Sequence, residues 1–247
     1  MKDSLPQGWE TASLGQLASL ERGKFSARPR NDPKYYGGRH PFIQTGDVRN
    51  SGGVIRKHTQ TLNDAGRKVS KLFPAGTLFV TIAANIGDLG VTAFPSAAPD
   101  SLVAIRPTAA VNQRWLHHAL SAQKPVLESI ATQNAQANLN LEKLRPFPLR
   151  VPPLKEQVAI AEVLDDALAL IASFESLIAK WQEIKQGMIQ QLLTGRTRLP
   201  GFRSDWLTPT LRAVASGLRG SGLSTEDLDP AGSYPCLLYG ELFTTYG

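Results

Sequence analysis

The sequence is poor in the residues that build metal centres and disulfides. Of its 247 residues one is cysteine, Cys236, and four are histidine, His40, His58, His117 and His118. A lone cysteine excludes an intrachain disulfide and fits a reducing compartment. The histidines show no ligand spacing, so no metal site is expected. No apolar run reaches about 18 residues, which argues against a membrane span. The opening MKDSLPQGWE has no hydrophobic signal core, and the chain reads as cytoplasmic. Glycine-rich phosphate loops are missing as well, so neither a nucleotide nor an AdoMet site is expected on this chain, and no cofactor is assigned to it.

What is present describes a globular protein: 42% hydrophobic and 19% charged residues. The net charge of +6 is unevenly spread. Residues 1–153 carry 19 Lys and Arg against 10 Asp and Glu, residues 154–195 carry 3 against 6, and residues 196–247 balance at 5 against 5. Between Arg22 and Lys71 stand 12 basic residues against Asp32, Asp47 and Asp64. Such a cluster attracts a polyanion, with affinity that falls as salt rises.

The stretch VPPLKEQ, residues 151–157, holds two adjacent prolines. An amino-methyltransferase loop of that kind needs Asp, Asn or Ser before the prolines and an aromatic after them. Val151 and Leu154 do neither job. Proline does suit the first turn of a helix, so Pro152 and Pro153 mark a helix start. From Leu154 no further proline occurs until Pro200, and Gly195 supplies a stop. Ile160, Leu164, Ala167, Ile171, Phe174, Ile178 and Trp181 alternate spacings of four and three, a coiled-coil seam about three heptads long. Val163, Leu170, Leu177 and Ile184 widen the apolar face. A helix of that length and pattern is expected to pair with another, through Ile160, Leu164, Ile171, Phe174, Ile178 and Trp181.

A weak internal repeat follows. At an offset of 197, Trp9, Thr11, Leu14, Ala18 and Ser19 match Trp206, Thr208, Leu211, Ala215 and Ser216. PFIQTGDV at 41–48 is similar to PCLLYGEL at 235–242. Their common order points to a tandem repeat whose second unit begins after the helix. Three segments are expected: a first domain at 1–152, a long helix at 153–196, and the start of a second repeat at 197–247.

Several motifs then come in order: a Trp-x-x-x-x-Leu opening, PFIQTGDV, GTLFVTIAANIGDLG, the amide-rich ATQNAQANLNLEKL, the PPLKEQ helix start, and IKQGMIQQLLTGRTRLPGF at the helix end. Together they resemble the specificity subunit of type I restriction–modification enzymes, over nearly the whole chain. The resemblance implies a non-catalytic subunit that reads one half of a bipartite site on double-stranded DNA. It implies docking of the methyltransferase subunit, which would carry AdoMet, and of the nuclease and translocase subunit through the complex. Complete subunits of this kind hold two recognition domains alternating with two long helices. This chain is expected to be an N-terminal half, natural or truncated, and to self-associate through its helix. Two other readings are a stand-alone DNA-modifying enzyme, which lacks its motifs here, and a coiled-coil adaptor, which the basic cluster opposes.

The residues themselves read as an α+β protein, a mixed α/β domain followed by the long helix. HPFIQTGDV, GTLFVTIA and LVAIRP are strand-like, and VNQRWLHHALSAQKPVLESIA is a helix broken at Pro125. Arg28, Arg30, Lys34, Arg39, Arg56, Lys57, Arg67, Lys68 and Lys71 are candidates for phosphate contacts, which position a protein on DNA without reading sequence. Asn85, Asn134, Gln136 and Asn138 are candidates for reading base edges. Asp47, after Gly46, is expected to fix a turn.

Overall fold

The computed structural model describes residues 5–132 and 139–219, together with residues 222, 226, 228, 229, 231–234 and 236. The chain divides into two compact units, residues 1–178 and 179–247. The first is a mixed α+β domain that carries the opening of a 40-residue helix, Leu154–Leu193.

Three sheets build the domain. Five strands run in the order Ala18–Arg22, Leu102–Pro107, Leu78–Thr81, Leu89–Thr92 and Val54–Ile55, antiparallel except for the last pair. Leu78–Thr81 is buried at every position, which explains why LFVT reads as an unbroken apolar run rather than an alternating one. A four-stranded sheet places Tyr36–Phe42 between Gln60–Leu62 and Ser96–Ala97, with Leu72–Phe73 at its edge. The third sheet is a single pair, Glu10–Ser13 against Pro148–Val151, with Glu10 opposite Val151.

Three clusters of apolar side chains fill the domain, two of them drawing on the five-stranded sheet. The largest joins Leu78, Val80 and Ile105 of the five-stranded sheet to Trp115, Leu116 and Leu120 of the helix Gln113–Ala122 and to Ala161 of the long helix. The second holds Phe73 and Phe79 at 5.2 Å, nearly perpendicular, and the third packs Phe25 on Phe42 at 5.0 Å. Phe42, Phe73 and Phe79 are fully buried, which stabilises the fold by about 1.5–3 kcal/mol each.

Two local details differ from the sequence reading. TGDV of PFIQTGDV is not strand: the strand ends at Phe42 and Thr45–Arg49 forms a short helix. Gln44 and Asp47 close a capping box at its start, which offsets the weak helix propensity of Thr and Gly. The helical stretch after Asn112 breaks at Gln123 rather than at Pro125. Pro125 lies in the first turn of the second helix, Lys124–Thr132, where its missing N–H has no partner to lose.

In the second unit the helix Leu211–Val214 repeats Leu14–Leu17 at the same offset of 197. The flanking backbones agree: Ser13 and Thr210 have φ/ψ of −77/149 and −67/151, and Ala18 and Ala215 have −150/153 and −147/145. The sequence repeat is therefore also a repeat of local backbone. Nearby, Arg198 stacks over the ring of Trp206 at 5.6 Å.

Candidate nucleic-acid interface and helix joint

The basic cluster resolves into paired and unpaired members. Arg28 bends back on its own loop, where Nη1 donates to the carbonyls of Ala27 (2.7 Å) and Phe25 (3.4 Å). Arg30 pairs with Asp100 at 2.5 Å and Lys34 with Asp32 at 2.8 Å. That lysine holds the Asp32 carboxyl below its usual range, through its side chain and its backbone N–H. Arg39 lies 3.7 Å from Asp64, which also takes His40 at 2.9 Å, and Lys71 pairs with Glu21. Arg56, Lys57, Arg67 and Lys68 are exposed and form no ion pair among the described residues. Those four flank the strand Gln60–Leu62, two before it and two on the short helix Asp64–Lys68 after it.

Two hollows lie along the segment that leads into this strand, one reaching Gln60 and the other Thr59. One, about 470 Å³, has Phe25, Tyr36 and Phe42 as aromatic lining and Asn31, Gln44, Gln60 and Arg30 as polar lining. The other, about 400 Å³, is lined by Asp47, Asn50, Arg56, Lys57 and Thr59 among others. Asp47 is 8% exposed and ties the two segments together. Its Oδ2 accepts from the Gln44 amide at 2.8 Å and its Oδ1 from the Thr59 amide at 3.1 Å. That carboxylate is thus structural, as its place after Gly46 suggests. Tyr36 donates its hydroxyl to the Arg30 carbonyl, and burial raises its pKa.

Among the amide candidates, Asn85 has its Oδ1 engaged by Arg49 Nη1 at 3.0 Å. Asn134, Gln136 and Asn138 lie outside the described residues. Gln44, Gln60 and Asn31 are amides the sequence reading did not single out. The available signal was their interleaving with aromatics and basic residues, in PFIQ and RKHTQ.

The long helix is anchored on the domain by polar contacts. Gln157 is 1% exposed: its Oε1 accepts from the Asn112 amide at 2.8 Å and its Nε2 donates to the Pro152 carbonyl at 2.9 Å. Asn112 is itself the N-cap of the helix Gln113–Ala122, its side chain accepting from the Trp115 amide. One residue earlier, Glu156 accepts from Trp9 Nε1 at 3.2 Å. Two turns on, Asp165 takes Arg114 at 2.9 Å and His118 at 2.7 Å. Burial alone would raise the Asp165 pKa, but the His118 and Arg114 bonds outweigh it and the net shift is downward. The ionised carboxylate accepts only, so His118 Nε2 carries the proton.

Beside these contacts a cavity of about 620 Å³ is lined by Gly53, Arg56, Arg114, His117, His118 and Leu168, among others. His117 is depressed in pKa by burial first and by His118 second. Gly53 has φ of +93°, which favours glycine, and a Cβ there would crowd the His117 ring at 3.1 Å.

Beyond the joint the helix is bare. Ile160 is half-buried against the main core, while Leu164 is 40% exposed, Phe174 55% and Trp181 61%, with Ile171 and Ile178 in the same range. No helix among the described residues is long and apolar enough to cross a membrane.

The described residues thus form a mixed α+β domain with an unpaired basic strip, followed by a long helix whose apolar stripe is exposed. The family described as "Type I restriction modification DNA specificity domain" matches residues 6–185, and the chain belongs to it. Similar proteins include the HindI specificity subunit of Haemophilus influenzae, 24% identical over 202 residues that make up 77% of this chain and 42% of that one. The putative MjaX specificity subunit of Methanocaldococcus jannaschii is also 24% identical, over 77% of this chain and 46% of its own length. Among solved structures, the HsdS subunit of Thermoanaerobacter tengcongensis shares the fold, with a TM-score of 0.58 and 21% identity over 77% of this chain and 46% of that one. A chain from a study of type I R-M complex assembly gives 0.60 at 20% identity, over 77% and 47%. The chain spans about half the length of these relatives.

Proposed function

We propose that this chain is a DNA-reading subunit of a type I restriction–modification complex, reading one half of a bipartite site and carrying no chemical step itself. The observation that carries the reading is the strip of four unpaired cations around Gln60, in a domain of the DNA specificity family. Arg56, Lys57, Arg67 and Lys68 meet phosphates, together with the more exposed of the paired residues, Arg30, Lys34, Arg39 and Lys71. Arg28, which caps its own loop, contributes to the shape of that surface. Asn85, Asn134, Gln136 and Asn138 remain candidates for base edges, joined by Gln44 and Gln60.

The long helix is the assembly element. Its first half is acidic, with Glu156, Glu162, Asp165 and Asp166 against Lys155, and its second half is neutral, with Glu175 and Glu183 against Lys180 and Lys185. The apolar stripe carries the pairing, so a second copy, or a second repeat, covers it from Leu164 to Trp181. The methyltransferase subunit, which brings AdoMet, takes the rest of the apolar face, and the nuclease subunit joins through it in the cytoplasm. Titrating the chain, with its methyltransferase subunit, into a random duplex pool tests this reading. Enrichment of a defined word with affinity that falls steeply with salt supports it, and salt-independent or absent binding overturns it.

A further inference from the structure

We propose that Gln157 and Asp165 are positioning residues that set the separation at which two DNA half-sites are read, although neither touches DNA. The inference rests on the bipartite reading above and adds to it the residues that hold the long helix at one angle to the domain.

Polar contacts from four helix residues, Glu156, Gln157, Glu162 and Asp165, fix the helix on the domain, Glu162 lying 4.0 Å from Arg114. Gln157 joins the helix start to the cap of the helix Gln113–Ala122. Asp165 joins the third turn to Arg114 and His118 of that same helix. Glu156 faces Trp9, whose neighbour Glu10 is paired with Val151 just before the helix begins. Gln157, Ala161 and Asp165 are spaced by four and lie along one face. Ala161, fully buried between the two polar residues, joins the main apolar cluster.

An apolar contact alone is non-directional and tolerates sliding, whereas hydrogen bonds and ion pairs demand particular distances and angles. A buried glutamine bonded at both ends is therefore a device for angle more than for adhesion. After Asp165 nearly every helical residue up to Ile178 is exposed, so the direction of this stretch is decided at the joint.

The lever arm makes small errors visible. From Gln157 to Ile178 the helix advances roughly 32 Å at about 1.5 Å per residue. A slack of about 10° at the joint moves the far point by roughly 6 Å, more than the ~3.4 Å that separates successive base pairs. A loosened joint thus blurs spacing by one base pair or more and leaves base contacts in the domain untouched.

The test is selection from a randomised duplex pool by the chain in complex with its methyltransferase subunit. The wild type is expected to enrich half-site words at one spacing, favoured on the order of tenfold over its neighbours. Gln157→Ala, and the milder surface variant Asp165→Asn, should enrich the same words at several spacings. Variants that keep the single spacing overturn the proposal, and so do variants that lose the words and the spacing together while folded. A second measurement needs no DNA. Spin labels at Lys68→Cys and Ser176→Cys, in a Cys236→Ser background, should give a narrow distance distribution that widens with Asp165→Asn. Equal widths overturn the joint, whereas a wild type without spacing preference overturns the bipartite reading and leaves the labels to decide the joint.

Discussion

The side chain of Gln157 accepts the amide proton of Asn112 at 2.8 Å, linking residues 45 positions apart in the chain. Its other end donates to Pro152, so a fully buried amide is satisfied in both directions. Gln157→Leu leaves the Asn112 N–H and the Pro152 carbonyl without their partner. We expect a loss of about 1–3 kcal/mol per orphaned group at most, read as a lower urea midpoint. An unchanged midpoint would show that water replaces the side chain.

Replacing the unpaired Arg56 and Lys57 with Ala should weaken binding to all sequences alike. If both meet phosphates, the slope of log K against log salt should become shallower by about 1.8. Arg28→Ala serves as contrast: its guanidinium is spent on Phe25 and Ala27, so the salt slope should hold while loop stability falls.

Gln44→Ala or Gln60→Ala should relax preference at single base pairs, by about 1–3 kcal/mol for a good bidentate contact. An equal loss on cognate and random duplexes would assign both amides to shaping the hollow alone.

His117 gives a pH dependence with a definite sign. Burial depresses its folded pKa below the unfolded value near 6.5, so the unfolded chain binds the extra proton first. Its neutral form is fully compatible with folding above that value, and stability declines as pH falls through 6.5 towards the folded pKa. The difference in urea midpoint between wild type and His117→Gln should therefore shift between pH 7.5 and about 5.5, a window set by that unfolded value. A constant difference would falsify the assignment.

Asp at both Ile171 and Ile178 should abolish self-association, because two carboxylates would be buried in the seam. Exposed apolar stripes longer than a few hundred Å² are uncommon on monomers, about 300–600 Å² being the usual largest patch. Sedimentation across a concentration series reads the result, and a wild type that stays monomeric throughout would sink the pairing.

Local signals in the sequence translated well into local structure. The prolines at 152 and 153 mark the helix start, the heptad pattern lies on a continuous helix, and Thr210 and Ala215 share their backbone angles with Ser13 and Ala18, though not the capping box of Ser13. What escaped the sequence was long-range pairing. Nothing near Arg30 announces Asp100, and nothing in KEQ announces Asn112 or Trp9. For that reason the basic cluster looked uniform, although half its members have carboxylates or carbonyls of their own. Asn85 looked available for the same reason, while Arg49 occupies its oxygen.

The pairing of Glu10 with Val151 brings the chain into the domain and out of it at one place. A domain whose entrance and exit are neighbours is a cassette. It can be cut out at that clasp and another inserted without moving the helix that follows, provided the newcomer supplies its own equivalents of Asn112, Arg114 and His118. Recombination at such a seam would exchange the surface around Gln60 and leave the exposed stretch of the helix unchanged.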